Sequence, residues 1–288
     1  MNRIVVLTLL AMIAFAGNSI LNRIALNDTS IDAASFTTIR LVSGALILLL
    51  IVQFRSPPVG FKPPGKRSDT GNWLSAIALL VYAAGFSFAY IHLSAAIGAL
   101  VLFGAVQATM ISYGLWRGER LKTWQTRGLL LALAGLVGLF LPGISKPPLL
   151  ASLLMLLAGV AWGVYSLRGK GAGDATRVTA GNFLRAVPIA LMLNVFMYPY
   201  FSIDSAGFWY AVTSGALASG LGYAVWYTVL PTLRSTTAAT VQLSVPIIAA
   251  IGGVVFLSEA LTPRLVLAAM AILGGIAMVI LNTRACSD

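Results

Sequence analysis

The sequence predicts an all-α integral membrane protein of ten transmembrane helices, built as a 5+5 inverted-topology repeat with both termini cytoplasmic. Three observations predict it. Charged residues make up 9% of the 288-residue chain and hydrophobic ones 59%, with a mean hydropathy of +0.91, whereas soluble domains carry about 25% charged residues. So few charges do not cover a water-facing surface, so most of the exterior faces lipid. Second, ten segments approach the ~20 apolar residues that a crossing requires. Third, the chain repeats itself: residues 93–141 shifted by 140 fall on 233–281, with Glu119 on Glu259, Leu121 on Leu261 and Gly135 on Gly275. Gly17 and Gly163, and Arg40 and Arg185, match at offsets of 146 and 145, which divides the chain into halves at 1–145 and 146–288.

The first span, 3–23, has a basic start and an Ala14-Phe15-Ala16 ending that imitates a signal peptide, yet it continues apolar to Ile20 and has a counterpart around Gly163; it is read as an uncleaved helix. The second, 34–54, carries Arg40 and stops at a break rich in basic residues and proline over 55–71. The third, 72–92, is parted from the fourth, 95–116, by barely a turn, and charged residues at 117–122 precede the fifth, 123–141. The sixth to tenth follow at 148–168, 177–198, 207–229, 235–257 and 264–282, with a clear break at 169–174. With the N-terminus in the cytoplasm, inside loops hold fourteen of the nineteen Lys and Arg and outside loops three, Arg23, Lys146 and Arg264. That asymmetry sets the orientation. Five spans per half is an odd number, so the second half is inverted, a plan in which substrate sits between the halves.

Several classes of function drop out. The basic residues punctuate apolar runs and form no polar face, so the net charge of +11 does not indicate nucleic acid. The single cysteine, Cys286, supports neither a disulfide framework nor a metal site, and no cofactor is expected. No Walker loop is present. Ser87 and His92 stand five apart on one helix, about 140° around it, and form no catalytic pair. All eight acidic residues fall in loops, tails or span ends, so no intramembrane carboxylate offers itself as a proton carrier. A membrane enzyme on lipid-linked substrates lacks its catalytic cluster.

Polar and aromatic residues inside the spans are the candidate substrate cavity. Tyr82, Phe86 and Tyr90 form one stripe on the third helix, and Tyr223, Trp226 and Tyr227 form its equivalent on the eighth. Trp162, Tyr165 and Ser166 lie on the sixth, Asn18 on the first, and Gln107 and Gln242 on the fourth and ninth. Such a wall stacks on an apolar body, holds an ammonium by cation–π contact and offers hydrogen bonds to a carboxylate. Interfacial aromatics and packing glue are the competing description. Small-x-x-x-small pairs, Ala134 with Gly138 and Ala271 with Gly275, either pack helices within a monomer or join a homodimer. Pro188, Pro246 and Gly252-Gly253 are bending points or static kinks.

Arg40 and Arg185 lie inside the second helix of each half, where an unpaired guanidinium costs about 2.5 kcal/mol or more. The inverted arrangement sets Arg40 on the side of Glu259 and Arg185 on the side of Glu119, so cross-half gating pairs are one expectation. The other is that each Glu caps the helix after it while the arginines bond carbonyls.

Ala16-Gly17-Asn18-Ser19, Trp162-Gly163, an Arg in the second helix of each half, and Gly118-Glu119-Arg120-Leu121 echoed by Ser258-Glu259-Ala260-Leu261 resemble the drug/metabolite transporter superfamily in its EamA-type branch, especially the YddG-like amino-acid exporters. The chain departs from that pattern at Ala16, where the family often has Trp, and at Val106, where the second copy keeps Pro246. The resemblance implies export of small metabolites, amino acids or similar, across a bacterial inner membrane. Drugs, purines and proton coupling remain alternatives within the class.

Overall fold

The computed structural model describes residues 2–55, 70–116, 118, 123–140, 147–169, 174–233 and 241–281. All regular structure among them is helical: α1 (Asn2–Asp28), α2 (Ala33–Arg55), α3 (Trp73–Tyr90), α4 (Ala95–Trp116), α5 (Thr123–Phe140), α6 (Leu149–Gly169), α7 (Ala175–Phe196), α8 (Ser205–Thr213), α9 (Gly222–Val229), α10 (Ser244–Leu257) and α11 (Pro263–Leu281). Six of these, α1 to α4, α6 and α7, are long and apolar enough to cross a bilayer, and α10 and α11 are shorter apolar helices.

Acidic and amide side chains start the helices. Asp32 accepts the Ala34 and Ser35 N–H groups, Asn72 that of Ser75, Asp174 that of Arg177 and Asp204 that of Gly207, filling the orphan donors of a first turn. The Gly207 N–H holds the Asp204 carboxyl below the ordinary carboxylate range. Thr262 does the same for Leu265 at α11. Three elements differ from the expected spans; the ninth, expected from residue 235, has its helix from Ser244, with 234–240 outside the described residues. The first helix runs on past residue 23 to Asp28, because Ala25 and Ile31 bury against Phe36 and Ala211 beyond it. The expected eighth span is interrupted: between α8 and α9 the chain forms a π-helical segment, Ser214–Leu221.

Helices pair chiefly across the two halves of the chain. α2 packs along α7, α4 along α10 and α5 along α11. Several further contacts come in matched sets: α3 with α6 answers α1 with α8, the π segment and α9; α4 with α6 answers α1 with α10; α3 with α7 answers α2 with α8 and the π segment. Backbones approach closely where side chains vanish. Gly275 faces the Gly128 carbonyl and the Ala132 backbone, and Gly135 faces Ala271, so the tenth-span small pair packs against α5 within the monomer. A Cβ at Gly138 meets nothing within 4 Å. Gly252 gives room to Ile20 and Gly253 to the Glu259 carboxylate. Along α2 and α7 the seam is polar: Ser35 donates to Asn194 at 3.0 Å and Thr38 to the Ala190 carbonyl at 3.1 Å, bonds suited to an apolar solvent.

Gly275→Leu should therefore part α5 from α11 and lower stability by about 1–3 kcal/mol, whereas Gly138→Leu should leave it unchanged; thermal unfolding in detergent, followed by fluorescence-detected gel filtration, separates the two.

Candidate functional site

The aromatic stripes converge. Trp162 of α6 is the hub: its ring centroid lies 4.8 Å from Tyr82, 4.9 Å from Tyr223, 5.5 Å from Tyr165 and 6.3 Å from Phe15. Tyr82 touches Phe86, and Phe86 meets Tyr90 edge-on at 4.7 Å. Phe15 in turn meets Trp226 at 6.0 Å. Spacing of three or four residues along each helix places these rings on one face, and α1, α3, α6 and α9 bring the faces together.

Hydrogen bonds tie this wall to a buried polar chain. The Tyr82 hydroxyl accepts from Arg40 Nη2 at 3.0 Å and from Asn18 Nδ2 at 3.3 Å. The Ser214 hydroxyl donates to Asn18 Oδ1 at 2.7 Å, Asn22 donates to Ser214 at 3.3 Å, and Ser87 donates to Asn22 Oδ1 at 3.2 Å. Arg40 Nε donates to Ser219 Oγ at 3.1 Å. The guanidinium carbon also lies 5.2 Å from the centroids of both Tyr82 and Phe86. Hydrogen bonds to a charged group contribute about 1.5–3 kcal/mol each and a desolvated cation–π contact about 2. Two of each exceed an insertion cost of about 2.5–3.5 kcal/mol, so Arg40 is held without a carboxylate.

The π segment makes this geometry. Bonds from i to i+5 insert one extra residue into a turn and occur often at functional sites; here they turn Ser214 and Ser219 toward Asn18 and Arg40. Gly215 lets the segment seat on α2, since any Cβ there collides with the Arg40 carbonyl and Ser43. Phe15, Asn18, Ser19, Tyr82, Phe86, Leu102, Phe103, Trp162, Ala218 and Tyr223 enclose a cavity of about 20 Å³, room for about one water. In this conformation the site is packed shut.

Of the expected cavity residues, Asn18, Tyr82, Phe86, Trp162 and Tyr223 line that cavity, and Trp226 supports it through Phe15. Tyr165 stacks on Trp162 but lines a second cavity of about 20 Å³ with Asn72, Arg168 and Asn182. Gln107 and Gln242 are buried outside both linings; Gln107 follows Phe103 by one turn, about 6 Å further along α4. Sequence reasoning did not assign Phe15, Asn22, Ser87, Ser214 or Ser219 to the cavity; Ser87 features there only as a rejected catalytic partner of His92. The small-residue run Ser-Gly-Ala-Leu-Ala-Ser-Gly-Leu-Gly over 214–222 was the available signal.

The expected pairing of Arg40 with Glu259 is not formed, and this is a correction. Glu259 pairs with Arg23 at 3.6 Å, and both its oxygens accept the Ala95 N–H at 2.9 Å, so it caps α4 rather than the helix that follows it. The cause is local: Ser258 is left-handed (φ 52°) and the Ser258 and Glu259 N–H groups return to the Gly253 carbonyl, folding the glutamate back over α10. Arg23, expected in a loop, lies in α1 and donates to the Tyr90 and Ile91 carbonyls at 3.0 Å. Arg185 donates to the Thr70 and Gly181 carbonyls at 2.6 and 2.8 Å; its expected partner Glu119 lies outside the described residues. At that opposite end Arg168 bonds Asn72 and Ser75, and the Asn72 N–H donates to Asn182.

The model of the EamA-like transporter family matches the chain twice, over residues 2–141 and 149–281. Uncharacterized protein PA1977 of Pseudomonas aeruginosa is 54% identical over 278 residues, covering 96% of this chain and 94% of the relative. Uncharacterized transporter YoaV of Bacillus subtilis is 26% identical over 255 residues, covering 84% and 85%. A protein crystal structure superposes with a TM-score of 0.66 at 20% identity, covering 96% of this chain and 98% of that one, which shows a shared fold.

Tyr82→Phe keeps the ring contacts and removes the acceptor shared by Arg40 and Asn18. It should cost about 1–3 kcal/mol with helix content intact, measured by thermal unfolding and circular dichroism, while Leu131→Ala on the exposed face of α5 should change neither.

Proposed function

The chain belongs to the EamA-like transporter family, and from that premise we propose that it is a secondary transporter exporting amino acids or similar small metabolites from a bacterial cytoplasm across the inner membrane. The observation that carries this reading is the convergence of α1, α2, α3, α6 and the α8–π–α9 segment on one buried aromatic and polar cluster. A packing core for membrane helices needs small residues; it does not need a guanidinium, three tyrosines or tryptophans in mutual contact and a serine–asparagine chain. Ten spans as two inverted halves, meeting at this cluster, support alternating access. The matched helix pairings and the double family match support that division near residue 145.

The substrate moves down its own gradient. The described acidic residues stand at helix ends: Asp32, Asp174, Asp204 and Glu259 accept backbone N–H groups, Glu259 also holds Arg23, and Asp28 accepts from Asn27. Arg23, Glu259 and the start of α4 form the outer closure; Arg168, Asn72, Asn182 and Arg185 form the inner one. Opening either side breaks its polar contacts and separates the rings.

Counterflow in proteoliposomes of a panel of radiolabelled amino acids tests the reading. Flux of at least one above protein-free vesicles is expected, unchanged when the pH gradient is collapsed. No flux across the panel refutes amino-acid transport, and a strict proton requirement refutes the facilitated mechanism. For the outer closure, Glu259→Gln should raise labelling of Ser19→Cys by an impermeant maleimide about two- to five-fold in a Cys286→Ser background; unchanged labelling refutes it.

A further inference from the structure

Arg40 is fully buried, 1% exposed. Its Nε and Nη2 are engaged by Ser219 and Tyr82, but Nη1 is buried and makes no hydrogen bond. Among the described residues no carboxylate lies within ion-pair distance of it; Glu259 pairs with Arg23 and Asp174 with Arg177. The Tyr223 hydroxyl, on the wall of the central cavity, is also buried with no partner. The Tyr223 ring lies 4.9 Å from that of Trp162, which also meets Tyr82, the residue whose hydroxyl Arg40 donates to. Native interiors rarely leave donors unmet, and a buried cation with a free N–H is short of an anion.

We infer that Arg40 is the anchor for a carboxylate of the transported molecule, with Nη1 and the Tyr223 hydroxyl as its two donors. The inference rests on reading this cluster as the substrate site, and deepens it: the carboxylate is required and an amine is dispensable. The groups on the cavity wall beside Arg40 are aromatic rings, Leu102, Ala218, Ser19 and Asn18. None carries a negative charge to select an ammonium, and its cation–π attraction, about 0.5–2 kcal/mol, is opposed by the charge of Arg40 itself. An apolar body stacks against Phe15, Trp162 and Phe86. Monocarboxylates with an apolar tail are therefore the substrate class, amino acids among them because of their acid group.

The test is calorimetric binding to the full chain in lipid nanodiscs with three probes sharing one apolar body: L-leucine, its desamino analogue 4-methylpentanoate and its decarboxylated analogue 3-methylbutylamine. Leucine and 4-methylpentanoate should bind within about tenfold of each other and the amine should not bind. Arg40→Gln should weaken both acids by about ten- to a hundred-fold, and Arg40→Lys by less. Tyr223→Phe should weaken them by about five-fold. Amine binding equal to that of leucine, unchanged acid binding in Arg40→Gln, or failure of the wild type to bind either acid overturns the inference. Those results leave the transport reading to the counterflow measurement, which reads flux across a whole amino-acid panel rather than binding of one acid and its analogues. Should Arg40→Gln not fold, the acid-against-amine comparison in the wild type still decides.

Discussion

A guanidinium buried in the middle of an apolar bundle, held by neutral oxygens and ring faces, is the constraint around which this protein is arranged. Arg40 draws the Tyr82 hydroxyl, Ser219 and the faces of Tyr82 and Phe86 into one shell. Tyr82 then fixes Asn18, and Asn18 fixes Ser214. Elements far apart in sequence are thus made to meet at one point by the need to solvate one charge where water is scarce. A carboxylate partner would neutralise the site. Its absence among the described residues leaves the centre of the membrane electropositive, which is a property a substrate can use.

How much of this was legible in the sequence follows from which forces lipid imposes. Apolar runs must be as long as the bilayer is thick, so α4 begins and ends at the expected residues and most other helices agree within a few positions. The aromatic stripes were legible because helical spacing fixes which residues share a face. What escaped is what depends on backbone departures. A π turn is recorded only as small residues over 214–222, and Ser214 and Ser219 look like packing glue until i→i+5 bonding turns them inward. The Arg40–Glu259 pairing failed for a related reason. Depth was estimated along straight helices, whereas a left-handed Ser258 folds Glu259 back onto Ala95 and Arg23.

The two ends of the bundle are tied together differently. Where α1, α3 and α10 finish, an ion pair and a carboxylate capping α4 join the helices, with the helix dipole adding to the contact. Where α3 and α7 begin, arginines bond carbonyls and amides, and Gly71, with φ of +81°, brings the chain close enough for Asn182 to accept the Asn72 N–H. Charge against charge weakens with salt, whereas charge against amide responds less. The ends are thereby tunable apart from one another.

The π segment also has a genetic consequence. Most spans tolerate no change in length, because losing one residue turns everything after it by about 100° and exchanges lipid-facing for buried side chains. Between Ser214 and Leu221 the helix already holds a residue in excess of the α pattern. A single-codon deletion there relaxes the segment toward an ordinary α-helix and keeps α9 in register with its neighbours. Such a variant is expected to keep its helices in register while losing the serine contacts to Arg40 and Asn18.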